Sequence, residues 1–212
     1  SDLNCVVIPG KFWRNVWTKA TLRVCSKVIA QTKDQQSLLR QNLGVASVVF
    51  PSVIELSKFD PTGNLTFASR DIDVLWVGTI EPRKGIENFL RLAEMAPELT
   101  FRAIGGPAGG GRNYFNGIQE KANSLNNVYM SGFVDPDKVL VWMNRSKILL
   151  HTSVPVHAGL TKEGFPNVFL ESWASGVMVV SLFVNPDASG PKIIAIFFLK
   201  LIFFNSFIER YL

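Results

Sequence analysis

Glu163 and Glu171 stand eight positions apart in the stretch KEGFPNVFLESWASGVMVV, from Lys162 to Val180. Between them lies a Gly164-Phe165-Pro166-Asn167 turn. Pro166 suits the first turn of a helix, where its missing N–H is not needed, and Gly176 suits its end, which predicts a helix of about ten residues. Glu163 then falls just before the helix start, and Glu171 lies about five residues, or ~7 Å, further along at 1.5 Å per residue. The two carboxylates straddle a helix N-terminus, whose unpaired N–H groups and partial charge of about +0.5 suit a phosphate or diphosphate. Gly164 lets backbone come close to such an anion. One acid can accept hydroxyl hydrogen bonds on one side of it and the other acid on the opposite side, which is the layout of sugar hydroxyls, diphosphate and ribose hydroxyls.

Other chemistries were weighed for the same residues. A glycosidase acid pair needs carboxyl groups roughly 5 to 9.5 Å apart on opposite sides of one bond, and two acids at the mouth and flank of one helix do not obviously face each other in that way. A plain structural reading also stays open, with Glu163 as an electrostatic helix cap and Glu171 as a surface residue. The glycine-rich AIGGPAGGGRNYF lacks the Gly-Lys-Ser/Thr ending of a P-loop and the spacing of a dinucleotide fingerprint, and reads as a flexible loop. His151 and His157 have no accompanying cysteine or acid spacing for zinc and are expected to face solvent or a pocket wall. No metal site is predicted.

The elements that must position these residues follow from periodicity. Helical periods alternate with short apolar runs, so the fold class is α/β, a doubly wound parallel sheet of Rossmann-like type preceded by a partial Rossmann-like segment. In that first segment, 1–60, a strand is expected over Leu3–Pro9. A helix follows over Phe12–Arg23 with Trp13, Val16, Trp17 and Ala20 on one side, then a strand through Val28–Ala30 and a helix capped by Thr32 and ended by Gly44. The polar stretch 61–73 reads as a linker. Over 74–187 strands and helices alternate up to Val177–Leu182, and 188–212 is an apolar tail that departs from the pattern and is short for a bilayer span.

Twenty-two Lys plus Arg against 17 Asp plus Glu, a net charge of +5, favour anionic ligands or membrane surfaces. The basic residues are scattered rather than run together, so nucleic acid is not expected. Cys5 and Cys25, without a C-x-x-C spacing, are expected to be ordinary buried thiols in a reducing cytosol. No secretory signal is visible at Ser1.

Beyond generic physics, EGFPNVFLESWASGVMVVS closely resembles the Glu-x7-Glu signature of glycosyltransferase family 4, retaining enzymes of GT-B fold. VIAQTKDQQSLLRQNLGV resembles the end of that family's first domain, VLWVGTIEPRKGIENFL the opening of its second and NVYMSGFV its nucleotide-contacting loop. The resemblance covers roughly Val24 to Asp187. It implies a nucleotide-sugar donor as substrate, no cofactor and no metal, with Glu163 at the donor sugar and Glu171 at the ribose. It also implies backbone contacts from Gly164, Phe165, Asn167 and Val168, and Lys84 offsetting diphosphate charge as a catalytic partner of Glu163. Gly78 and Gly132 join the donor-binding set. Thr79 stands where the family has a basic residue after Gly78, so Arg83 is the candidate substitute. The implied activity is sugar transfer to an unknown acceptor, sugar or lipid-linked, by a cytoplasmic protein compatible with peripheral membrane contact. The chain reads as incomplete, and a degenerate binding module without turnover is the alternative.

Overall fold

The computed structural model describes residues 10–59, 66–154 and 165–181. The expected strand at Leu3–Pro9, Glu163, Gly164, His157 and the apolar tail lie outside these residues. The chain divides into two compact units. Among the described residues the first comprises 10–53, 154 and 165–167, and the second 54–59, 66–153 and 168–181.

In the first unit, helix α1 (Phe12–Val24) precedes strand β1 (Ile29–Ala30), helix α2 (Lys33–Leu38) and strand β2 (Val48–Val49). β1 and β2 pair in parallel, Ile29 opposite Val48. As the sequence predicts, the Thr32 hydroxyl caps α2 by accepting from the Gln35 N–H at 3.1 Å, which satisfies one of the orphan amides of the first turn. The helix widens into a π turn over Leu39–Leu43 and stops at Gly44, whose φ of 64° is the left-handed cap geometry. Leu39, Leu43, Val45 and Ala30 form a small core against which Leu22 of α1 packs. The rest of α1 is inverted relative to a core helix: Phe12, Trp13, Val16 and Trp17 are exposed, while Arg14, Asn15, Thr18, Lys19 and Leu22 are half-buried.

The second unit holds a five-stranded parallel sheet in the order β5-β4-β3-β6-β7. Its strands are β3 (Ile72–Val77), β4 (Phe101–Ile104), β5 (Val128–Met130), β6 (Ser146–His151) and β7 (Met178–Ser181). Helices α3 (Ile86–Met95), α4 (Arg112–Asn123), α5 (Pro136–Asn144) and α6 (Asn167–Ala174) fall between them in sequence, α6 entering this unit from Val168 on. β3 opens at Ile72, inside the stretch expected to be a linker. Just before it, the Arg70 guanidinium donates to the carbonyls of Ser146 at 2.6 Å and Ser175 at 2.8 Å, stapling the start of β6 to the end of α6.

Alternation along the strands shows that the sheet is covered on both faces. Val74, Trp76, Phe101, Ala103 and Leu150 join one core with Ile86, Phe89 and Leu90 of α3 and Ile118 and Ala122 of α4. The intervening Arg102 points the other way, its guanidinium 3.9 Å from the ring centroid of Trp142 on α5. Likewise His151, next to Leu150, meets Phe169 of α6 edge-on at 4.9 Å. So α3 and α4 lie on one face and α5 and α6 on the other, the doubly wound arrangement. Burial on both faces is why the strands read as nearly continuous apolar runs.

Candidate functional site

In a doubly wound sheet the crevice for ligands opens at the carboxyl ends of the strands where the winding reverses. Here the chain runs from β3 outward through β4 and β5, then returns to β6 and β7, so the switch point lies between β3 and β6. The segments leaving those two strands are the Gly78–Gly85 loop and the Thr152–Ser153 turn.

The Gly78 loop is held from both sides. Towards β4, the Gly78 N–H donates to the Ile104 carbonyl at 3.0 Å and the Ile80 N–H to the Gly106 carbonyl at 2.8 Å. The two chains approach so closely that a methyl group on Gly105 would overlap the Gly78 carbonyl oxygen. Gly105 in turn donates its N–H to the Gly132 carbonyl at 2.8 Å, and Gly132 has φ 66°. The first half of the glycine-rich stretch is therefore a tightly packed crossing rather than the loose loop expected from composition. Gly109 and Gly110, by contrast, have open space around them.

Towards β6, Pro82–Lys84 form a 3-10 turn that ends at Gly85 with φ 62°, from which α3 starts. The buried hydroxyl of Thr152 donates to the Lys84 carbonyl at 2.8 Å and accepts from the Trp76 indole N–H at 2.9 Å. A methyl group on Gly85 would overlap the Thr152 carbonyl. Lys84 is half-buried. Arg83, the candidate substitute for a missing basic residue, pairs with Glu81 at 2.6 Å, which partly neutralises it.

On α6, Asn167 begins the helix and Glu171 lies one turn on, so the two share a side away from buried Phe169 and Ser172. Glu171 is half-buried, and burial pushes its carboxyl above the ordinary value. Its carboxylate has no hydrogen-bond or ion-pair partner among the described residues, an arrangement that favours a hydroxyl-bearing ligand. Val168 is half-buried and Asn167 exposed. Phe165 belongs to the first unit, where Gln31 accepts from its N–H at 3.2 Å and donates to its carbonyl at 3.0 Å. Its amide is thus engaged within the protein rather than turned to a ligand.

Two expectations are corrected. Of the two places expected for His151, solvent or a pocket wall, the first is corrected: it is 9% exposed and its Nδ1 lies 3.0 Å from the Ser181 hydroxyl, so it braces β6 against β7. Cys25 is an exposed thiol, not a buried one. Among the described residues no group of acids, histidines and cysteines is placed to hold a metal ion, and no helix is long and apolar enough to cross a membrane. Sequence reasoning missed Trp76 and Thr152 altogether. A buried Trp in a strand and a Thr after one carry no signal of their own, and their link joins residues 76 positions apart.

The closest crossings and turns of this site belong to a fold seen in several glycosyltransferases of known structure. Anabaena HepE, in complex with UDP and glucose, superposes with a TM-score of 0.60 at 22% identity, over 77% of this chain and 48% of that one. A glycosyltransferase from Rickettsia africae gives 0.61 at 17% identity, over 83% and 49%. At these identities the likeness establishes the fold. Among curated proteins, the alpha-galactosylglucosyldiacylglycerol synthase of Streptococcus pneumoniae is 32% identical over 80 residues, 36% of this chain and 21% of that protein. The chain thus spans about a fifth of that relative and about half of each of these two structures. Residues 62–186, more than half of the chain, match the family model described as glycosyl transferases group 1, and the chain belongs to that family.

Proposed function

We propose that this chain binds a nucleotide-sugar donor in the crevice between β3 and β6 and takes part in transfer of the sugar to an acceptor with retention of configuration. The observation that carries this reading is the Lys84 turn held at the switch point, beside which stands, on α6, a half-buried carboxylate at Glu171 that has no hydrogen-bond or ion-pair partner among the described residues. The ribose hydroxyls would satisfy Glu171 and the donor sugar would meet Glu163. Lys84 and the amides at the start of α6, around Asn167 and Val168, would take up the charge that grows on the departing diphosphate. Retention follows if the acceptor attacks from the face the diphosphate leaves, with the leaving phosphate helping to remove the acceptor's proton. No cofactor enters this scheme.

The acceptor class is part of the same reading. The S. pneumoniae relative is named for a glycosyldiacylglycerol product, which favours a lipid-linked acceptor and peripheral membrane contact. In support, residues 10–53 carry Asp34 as their only acid among basic residues from Lys11 to Arg40. On α1, Phe12, Trp13 and Trp17 are exposed beside them, the composition of a helix lying on an anionic surface. A second reading is donor binding without turnover, in which the same site holds the nucleotide and no sugar is moved.

The test is calorimetric titration of the chain with UDP, followed by incubation with a panel of nucleotide sugars while nucleoside diphosphate release is monitored. Binding with release supports transfer, and binding without release supports the second reading. Failure to bind any nucleoside diphosphate refutes both. Glu163→Ala should spare UDP affinity while harming donor use, and Glu171→Ala should weaken UDP itself by about 1–3 kcal/mol. Equal loss of UDP affinity in the two variants would refute the division of roles.

A further inference from the structure

The Lys84 turn is governed by a group that neither motif nor spacing singles out. The Thr152 side chain is fully buried, and a hydroxyl has one hydrogen to donate. That hydrogen goes to the Lys84 carbonyl at 2.8 Å, while the oxygen accepts from the Trp76 indole at 2.9 Å. The Trp76 ring lies directly beneath the glycine crossing, its edge 3.3 Å from where a methyl group on Gly78 would sit and 3.4 Å from the corresponding point on Gly105. On the backbone side, the lack of a side chain at Gly85 is what admits the Thr152 carbonyl against it. Within the turn, the Lys84 N–H is bonded to the Glu81 carbonyl at 2.9 Å and the Gly85 N–H to the Pro82 carbonyl at 3.1 Å. Internal bonds set the shape of the turn, and Thr152 ties its end to the terminus of β6.

We propose that Thr152 is a positioning residue: by holding the Lys84 carbonyl it fixes where the Lys84 ammonium meets the terminal phosphate of a nucleoside diphosphate, and so sets the preference for diphosphate over monophosphate. The inference rests on the donor-site reading above and adds to it a residue that touches no substrate. A hydroxyl suits the task because it is at once acceptor to the strand floor and donor to the turn. An apolar residue of the same shape fills the volume and holds neither.

The experiment measures UDP and UMP affinities of the full 212-residue chain by calorimetry for Thr152→Val, Thr152→Ser, Trp76→Phe, Lys84→Ala and the double variant Thr152→Val/Lys84→Ala. The ratio of UDP to UMP affinity should fall roughly tenfold in Lys84→Ala, the scale of one charge-assisted hydrogen bond, and by a comparable factor in Thr152→Val. Thr152→Ser should restore it, and Thr152→Val should cost nothing more once Lys84 is gone. Trp76→Phe removes the indole donor but leaves the Thr152 bond to the Lys84 carbonyl, so the ratio should persist. If the unpaired indole prevents Thr152→Val from folding, Trp76→Phe/Thr152→Val removes both partners and takes its place, with the same loss expected. A ratio that falls in Lys84→Ala but not in Thr152→Val overturns the positioning role, as does an equal fall in Trp76→Phe. No UDP binding by the unaltered chain, or no change in Lys84→Ala, overturns the donor-site reading itself.

Discussion

Replacing Gly105 by alanine tests whether the glycine crossing, rather than the loop around it, builds the site. The new methyl group would lie well inside the 3.0 Å that Cβ atoms essentially never breach, against the carbonyl oxygen of Gly78. The obstacle is backbone, so neither partner can rotate away and the two segments must separate. Three hydrogen bonds run across or beside that separation: Gly78 N–H to Ile104 O at 3.0 Å, Ile80 N–H to Gly106 O at 2.8 Å and Gly105 N–H to Gly132 O at 2.8 Å. Losing one or two, each worth about 1 kcal/mol net, and adding overpacking strain of about 1–3 kcal/mol, gives an expected destabilisation of about 2–5 kcal/mol. Gly109→Ala is the matched control, because a methyl group there meets nothing within 4 Å. It should change stability by no more than about 0.5–1 kcal/mol, in either direction. Urea unfolding resolves the two as a lowered midpoint at unchanged slope for Gly105→Ala alone. UDP titration of the same proteins should show weakened binding only for Gly105→Ala. Equal midpoints for the two variants would refute the account of a rigid crossing, and equal UDP affinities would show that the crossing does not shape the nucleotide site.

Glu171 supplies a pH test with a definite sign. Burial raises its carboxyl in the folded chain above its ordinary value, so over the window between the two the folded state holds a proton that the unfolded state releases. Its contribution favours folding at low pH and is lost as pH rises from the unfolded value through the raised folded one. If the ionised carboxylate receives the ribose hydroxyls, UDP affinity should rise with pH across that same window, and Glu171→Gln should flatten both profiles; an unaltered UDP profile in Glu171→Gln refutes the ribose role. Phe89, fully buried and 5.3 Å from Phe101 in an edge-to-face pair, should cost about 3–5 kcal/mol on truncation to alanine, and a loss below 1 kcal/mol by urea unfolding would show the α3 core to be misassigned. On α1, Trp13→Ala/Trp17→Ala should abolish cosedimentation with anionic phospholipid vesicles while leaving UDP affinity intact. Vesicle binding that survives the double change would rule out this helix as the contact.

Much of the second unit is legible in the sequence because its signals are local. The apolar run through Val74–Val77 is buried from both faces of a parallel sheet, and Pro166 and Gly176 bracket α6 to within a residue or two. What local pattern cannot specify is which surface an apolar face meets. The positions Trp13, Val16, Trp17 and Ala20 fit a core-facing period, yet it is the opposite side, through Leu22, that packs on the small core of Leu39 and Leu43. Periodicity identifies a face and carries no information about its partner. Composition fails in a related way along residues 103–115, where Gly105 is locked by a carbonyl and Gly110, in the same run, faces open space.

The candidate site divides along the same line. Of its charged candidates, Glu171 is proposed by its spacing to a helix start and Lys84 by its match to the basic element of the family that the sequence resembles. The residues that hold them are not, because each acts through a partner far away in the chain. His151 leans on Ser181, 30 positions on, Arg70 reaches the Ser175 carbonyl across 105, and Thr152 grips the Lys84 carbonyl across 68. Such bonds follow from the parallel topology: once β3 and β6 are neighbours, with Val74 opposite Ile148, the residues leaving their carboxyl ends are brought side by side whatever their separation in sequence. A lysine's match to a family element therefore proposes a role. Where its backbone is held is set by the sheet order, and that is a property of the fold as a whole.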